Sequence, residues 1–82
     1  MASLAIWELD LHGMTVHQAQ IAIDSRLKQA KTGTYRIRLI HGYHGGTALR
    51  DFVRKTYRTH PKVIRVEMGL NPGETDLVLR EI

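Results

Sequence analysis

The stretch that most constrains this chain is residues 40–50, where an apolar, strand-like run ends in glycines and an amphipathic, helix-like run follows. Three of the five residues 42–46 are glycine, which suits a backbone that must turn tightly or approach a ligand closely. Because a helix is expected after the loop, free N–H groups and the positive end of the helix dipole favour an anion there. On the loop alone a plain strand-to-helix turn is the simpler explanation, but the loop also holds His41 and His44.

Hydrophobic periodicity places six elements around this loop. Alternation over residues 4–12, 35–40, 63–69 and 76–80 predicts four strands. Helical spacing predicts one helix from Val16 to about Gly33 and another from residue 48 to His60. Because crossovers between parallel strands are right-handed, the order β-α-β-α-β-β predicts an α/β domain, an α+β two-layer sandwich. Its four-stranded mixed sheet should carry two helices on one face, leave the other face solvated, and form a single domain over residues 1–82.

The same patterns predict local details. Thr15, with a glutamine three residues later, forms a capping-box pattern before the first helix, and Thr47 is expected to cap the second. In the third strand Ile64 and Met68 should point inward, together with the valine between them. The run Asn71-Pro72-Gly73 is turn chemistry in which the glycine is expected to accept a positive φ.

The two crossovers should bring the loops after the first and second strands together at one end of the sheet. Residues 11–14 and 41–46 are therefore expected to converge. Ligands of open α/β sheets usually bind beyond the carboxyl ends of the strands. This convergence predicts a ligand site at that end.

The charge balance favours a polyanionic partner. The chain has 12 lysine and arginine residues against 8 acidic residues, a formal net charge of +4. Nucleic acid is the leading candidate, although a balance of this size also serves solubility alone. Arg50, Arg54 and Arg58 recur every four residues and predict a cationic ridge beside the glycine loop. The alternative binding surface is the open sheet face, with Arg36, Arg38, Arg65 and Arg80.

Other functional classes are excluded or disfavoured by composition. With no cysteine, the chain can form no disulfide, thiolate metal site or cysteine nucleophile. Residues 1–6 lack the basic segment and the long apolar core of a secretory signal, and no stretch approaches membrane-spanning length. We therefore expect a cytoplasmic protein without a membrane partner.

Two motifs stand at the ends of the first two strands. Leu9-Asp10-Leu11-His12-Gly13 closes the first, and His41-Gly42, with further glycines, closes the second. This arrangement resembles the Smr (small MutS-related) domain, and the resemblance extends from about Trp7 to Ile82, including the run Gly73-Glu74-Thr75. The first motif matches the family's L-D-L-H-G at every position. In the second, usually H-G-x-G-x-G, His44 stands where the family has the first of the later glycines.

The resemblance implies a domain that binds nucleic acid. Several Smr members nick DNA or cleave RNA, some of them at collided ribosomes, and others have no shown activity. Its implied partners are therefore RNA or DNA, with association with ribosomes among the expectations. Two interpretations stay open: an endonuclease, and a binding module that recognises structured nucleic acid without cutting it. A small-molecule anion binder is the least favoured class.

Asp10, His12 and His41 are the candidate catalytic residues. Imidazoles titrate nearest neutral pH, so His41 could take the proton of a 2′-hydroxyl while His12 protonates the leaving 5′-oxygen, or the reverse. Asp10 would steady His12, and loop amides would bear the developing charge. We expect no cofactor. Metal-activated water is the less favoured alternative, because only Asp10 lies at the mouth of the site and metal nucleases generally use several carboxylates.

The remaining candidates are expected to contact phosphate or nucleic acid. They come from the two loops and the second helix, and they are Gly13, Gly42, His44, Gly45, Gly46, Thr47, Arg50, Arg54 and Arg58.

Overall fold

The elements follow the predicted order in the computed structural model, which describes residues 5–30, 33–42, 47–69 and 71–81. The strands are β1 (Ala5–Asp10), β2 (Thr34–Ile40), β3 (Arg65–Met68) and β4 (Glu74–Val78). The helices are α1 (Val16–Gln29) and α2 (Ala48–Thr56), and a 3₁₀ turn over Tyr57–Thr59 extends α2. No helix in the described part of the chain is long and apolar enough to cross a membrane.

The sheet is mixed, with the strand order β1-β2-β4-β3. β1 and β2 are parallel, and β4 runs antiparallel to both of its neighbours, β2 and β3. The chain therefore crosses from β2 through α2 to the sheet edge and returns to fill the central position. This insertion brings the start of β4 beside the end of β2, where Ile40 is paired with Glu74.

One core lies between the sheet and both helices, which confirms the predicted two-layer arrangement. Ile37 and Leu39 of β2 and Leu77 of β4 are fully buried on the same face of the sheet. They form one cluster with side chains of α1 and of the α2 region, namely Ala19, Ile23, Leu27, Val53 and Tyr57. Both helices thus cover one face of the sheet.

The opposite face of the sheet carries ion pairs instead of an apolar layer. The Asp76 carboxylate is 2% exposed and accepts hydrogen bonds from Arg36 at 2.6 Å and from Arg38 at 3.1 Å. Burial alone would raise the pKa of Asp76, but the hydrogen bonds and charges of Arg38 and Arg36 outweigh burial and lower that pKa.

The capping-box prediction for α1 is confirmed. The Thr15 hydroxyl accepts from the Gln18 N–H at 3.1 Å, and the Gln18 side chain accepts from the Thr15 N–H at 2.9 Å. The helix ends earlier than predicted, since Ala30 is already extended. Thr47 does precede α2, but its side chain makes no capping hydrogen bond, because its ψ of 1° departs from the extended conformation that N-caps usually adopt.

Two predictions for the last part of the chain are wrong. Ile64, which precedes β3, is 50% exposed, whereas Val63 is buried. Met68 is 74% exposed although it pairs with the buried Thr75, because β3 is a short strand at the edge of the sheet. Gly73 does not have a positive φ. Within the described ranges that conformation occurs at Gly13 and Gly42, and Gly73 serves close backbone packing instead.

Candidate active site

The described part of the loop after β2, residues 41–42, converges with the loop after β1 as predicted, and a cavity of about 310 Å³ lies between them. Residues 12–16 form one wall, His41 another, and Ala48 and Leu49 at the start of α2 a third. The strand ends are joined by a hydrogen bond from the Leu11 N–H to the Ile40 carbonyl at 2.8 Å. The N-terminal ends of both helices therefore border a cavity that two histidines also line.

Two glycines allow the loops to turn into this position. Gly13 has a φ of +82° and Gly42 a φ of +91°. Residues with a Cβ rarely adopt these angles, so each position favours glycine. A Cβ on Gly42 would also lie only 3.3 Å from Cδ2 of His12. The His12 ring thus rests against the loop that carries His41.

His12 is the exposed imidazole of the pair. Its backbone N–H donates to Asp10 Oδ1 at 2.9 Å, and its ring makes no hydrogen bond with the described part of the protein. Asp10 therefore holds the backbone at His12 and makes no hydrogen bond with the ring. The predicted support of His12 by Asp10 is present in the structure only in this indirect form.

His41 is the buried imidazole, with 6% of its surface exposed. Its Nδ1 lies 3.1 Å from the Gly42 carbonyl oxygen, and its Nε2 lies 2.9 Å from Oγ1 of Thr75. Burial lowers the pKa of His41, and the charges of Arg54 and Arg50 lower it further, against the opposing effect of the hydrogen bond to Gly42. The ring is consequently neutral near pH 7.

The start of β4 is the part of the site that the sequence prediction missed. The Gly73 carbonyl accepts from the His41 N–H at 3.0 Å and from the Gly42 N–H at 3.1 Å, while the buried Thr75 hydroxyl contacts the His41 ring. A signal was present in the sequence, since alternation continued backward from Leu77 places the polar Thr75 on the core face of the strand. Buried hydroxyls need a partner, and His41 provides it.

The arginines of α2 do not form one continuous ridge. Arg54 turns toward the site and donates from Nε to Thr75 Oγ1 at 3.1 Å. Arg50 pairs with Asp51 at 3.3 Å, and Arg58 is exposed in the 3₁₀ turn beyond the end of α2. The predicted contacts of His44, Gly45 and Gly46 lie outside the described residues.

Three of the four arginines predicted for the open sheet face pair with acidic neighbours, whereas Arg80 is exposed. Arg36 pairs with Asp76 and Glu67, Arg38 with Asp76 and Glu74, and Arg65 with Glu67 and Glu81. As for metals, no group of three or more His, Asp or Glu side chains within the described ranges is placed to hold an ion.

Comparison with known proteins identifies relatives of this arrangement. The family model described as the Smr domain matches residues 9–74, a span that contains both loops and the start of β4. The chain is 39% identical over 57 residues to the endonuclease MutS2 of Thermus thermophilus. That alignment covers 68% of this chain and 8% of the length of MutS2, so the chain spans a small part of that relative.

A solved structure shows the same architecture. The crystal structure of the Smr domain of Thermus thermophilus MutS2 superimposes with a TM-score of 0.79 at 32% sequence identity. The match covers 92% of this chain and 99% of that domain. The four-stranded mixed sheet with two helices on one face is therefore shared with that domain over nearly its whole length.

Proposed function

This chain belongs to the Smr domain family, and on that premise we propose that it binds nucleic acid and cleaves the phosphodiester backbone at the cavity between the loops after β1 and β2. The observation that carries the proposal is the exposed His12 imidazole at the mouth of a cavity bordered by two helix N-terminal ends. Helix N-termini attract phosphate, and an imidazole beside the phosphate can transfer protons near neutral pH. The endonuclease in the name of its relative MutS2 supports the same class of activity.

His12 is the side chain best placed to meet the substrate. Its ring is exposed, borders the cavity and is not held by a described partner, whereas both ring nitrogens of His41 contact other protein atoms. In an RNA substrate His12 would exchange a proton with the 2′-hydroxyl or the 5′-oxygen, and Asp10 would position it through the backbone N–H. His41 can serve as the second proton-transfer group only if its contact with Thr75 opens.

We assign nucleic-acid binding to the surface formed by the candidate active site and α2. Arg58 and Lys55 are exposed there, and Arg54 and Arg50 are close enough to lower the pKa of His41. Phosphate contacts from such side chains fix position without reading sequence and weaken as salt is raised. The open sheet face is the poorer candidate, since three of its four arginines, Arg36, Arg38 and Arg65, already pair with carboxylates.

A binding module without cleavage is the second candidate. It is favoured by the internal hydrogen bonds of His41, which leave His12 as the one exposed imidazole among the described residues that line the cavity. Both candidate functions use the same binding surface, so only a cleavage assay distinguishes them. We retain binding to ribosomes as a prediction that follows from the family alone.

The test uses purified protein with labelled single-stranded RNA, branched DNA and duplex DNA, each with and without EDTA. We expect His12→Ala to lower the cleavage rate by about 10²–10⁴-fold with little change in affinity. The matched control is His17→Ala, which removes an exposed histidine from α1 outside the cavity lining. Binding without cleavage would favour the module, and no binding to any of the three would contradict the proposal. Loss of cleavage in EDTA would replace the proton-transfer mechanism with metal-activated water.

A further inference from the structure

The Thr75 hydroxyl lies between a histidine and an arginine that the sequence places far from it. Thr75 is fully buried near the start of β4, and its Oγ1 lies 2.9 Å from Nε2 of His41 and 3.1 Å from Nε of Arg54. The strand register pairs Thr75 with Leu39, two residues before His41. The backbone thus brings the hydroxyl to the base of the β2 loop, and α2 supplies the arginine.

The chemistry of these atoms fixes the direction of each hydrogen bond. The Gly42 carbonyl can only accept, so the His41 nitrogen that faces it, Nδ1, carries the ring proton. A neutral imidazole has one such proton, which leaves Nε2 as an acceptor for the Thr75 O–H. The Arg54 N–H can only donate, so it occupies the Thr75 oxygen and leaves the hydroxyl hydrogen for His41.

We propose that Thr75 is a positioning residue, whose hydroxyl, oriented by Arg54, holds His41 as the Nδ1–H tautomer and keeps its Nε2 lone pair inside the protein. Because the lone pair of His41 is occupied, His12 is the imidazole that meets the substrate, a consequence that rests on the proposed function. Arg54 acts in this network through Thr75 in addition to any contact with phosphate. The tautomer itself does not depend on whether the domain cleaves anything.

The test compares Thr75→Val, which removes the hydroxyl at nearly constant shape, with Thr75→Ser, which keeps it. Long-range ¹H–¹⁵N spectra of the histidine rings report the tautomer directly, and His41→Gln identifies the His41 signals. We expect wild type and Thr75→Ser to show a protonated Nδ1 and an unprotonated Nε2 above pH 7. We expect Thr75→Val to relax toward a mixture of tautomers and to shift the titration midpoint of the ring.

Two results would overturn the proposal. One is a wild-type protein in which Nε2 carries the proton, a measurement that stands even if Thr75→Val does not fold. The other is a folded Thr75→Val variant with an unchanged tautomer and midpoint. Absence of cleavage by the wild type would contradict the proposed function. It would not affect the conclusion about the His41 tautomer. Arg54→Met is the second variant, expected to loosen the tautomer preference while Thr75 is intact.

Discussion

The backbone of Gly73 packs directly against the backbone of Gly42. A Cβ on Gly73 would lie 3.3 Å from the carbonyl carbon of Gly42 and 3.5 Å from its Cα. The same Gly73 supplies the carbonyl that accepts the N–H groups of His41 and Gly42. The turn before β4 is therefore the support on which the β2 loop of the candidate active site rests.

Gly73→Ala is expected to destabilise the domain and displace the loop. The new methyl group meets backbone atoms that cannot rotate away, and overpacking of this kind typically costs about 1–3 kcal/mol. Urea unfolding measures the loss, and the amide shifts of His41 and Gly42 report the displacement. Gly69→Ala is the control, because its nearest contacts belong to Glu74 instead of the site loop. Unmoved His41 and Gly42 amides in a folded Gly73→Ala would argue against the supporting role.

Local sequence patterns predicted the elements well, because the forces that specify them act over a few residues. The capping box at Thr15 and the strand-to-helix order are of this kind. The predicted burial of Ile64 and Met68 was wrong, because alternation specifies two faces of a strand but does not say how far a core extends at the sheet edge. The position of β4 between β2 and β3 also depends on packing of the whole chain.

The candidate site could likewise be predicted only in part from the sequence. Its two loops were predicted to converge, since right-handed crossovers decide that on topological grounds. The contact between His41 and Thr75 could not be predicted, because it depends on the register of two antiparallel strands that lie far apart in sequence. The hydrogen bond from Arg54 to Thr75 depends in addition on how α2 packs against β4.

A comparison of Gly13→Ala with Gly42→Ala distinguishes the effect of backbone strain from the effect of a steric contact with His12. Both alanines would occupy a positive φ, which costs of order 1–3 kcal/mol for a residue with a Cβ. Only the methyl group on Gly42 meets a side chain, Cδ2 of His12 at 3.3 Å, whereas the space around Gly13 is open. Denaturation should therefore show similar losses, and only Gly42→Ala should shift the His12 ring signals. Equal ring shifts in both variants would contradict the contact.

Asp76→Asn is expected to weaken the sheet far more than an exposed charge substitution. The carboxylate is 2% exposed and anchors Arg36 and Arg38, so its neutralisation leaves two guanidinium groups without their main partner. Breaking a buried pair costs about 3–5 kcal/mol, and the partial exposure of both arginines argues for the lower end. Glu81→Gln, which removes an exposed partner of Arg65, is the control and should change the unfolding midpoint little.

The stability of the domain should fall as the pH is lowered through the ordinary titration range of histidine. Burial holds the pKa of His41 below 6.5, the ordinary value of histidine. Between the two pKa values the unfolded chain binds a proton that the folded protein does not, so the free energy of unfolding decreases as pH falls. The His41 contribution is complete above about pH 6.5, the unperturbed histidine value, and is lost progressively down to the folded pKa.

His41→Gln removes this titration and should flatten the pH profile of stability below about pH 6.5, the unperturbed value of histidine. Its absolute stability should also be lower near pH 8, because the contact with Thr75 is altered. His17→Gln, at an exposed position of α1, serves as the control and should keep the wild-type slope. Urea midpoints measured from pH 8 to pH 5 give all three profiles. A His41→Gln profile as steep as the wild type would show that another group carries the pH dependence in this range. That group would not be Asp76, since its lowered pKa confines its loss of stability to pH values below the ordinary titration range of aspartate.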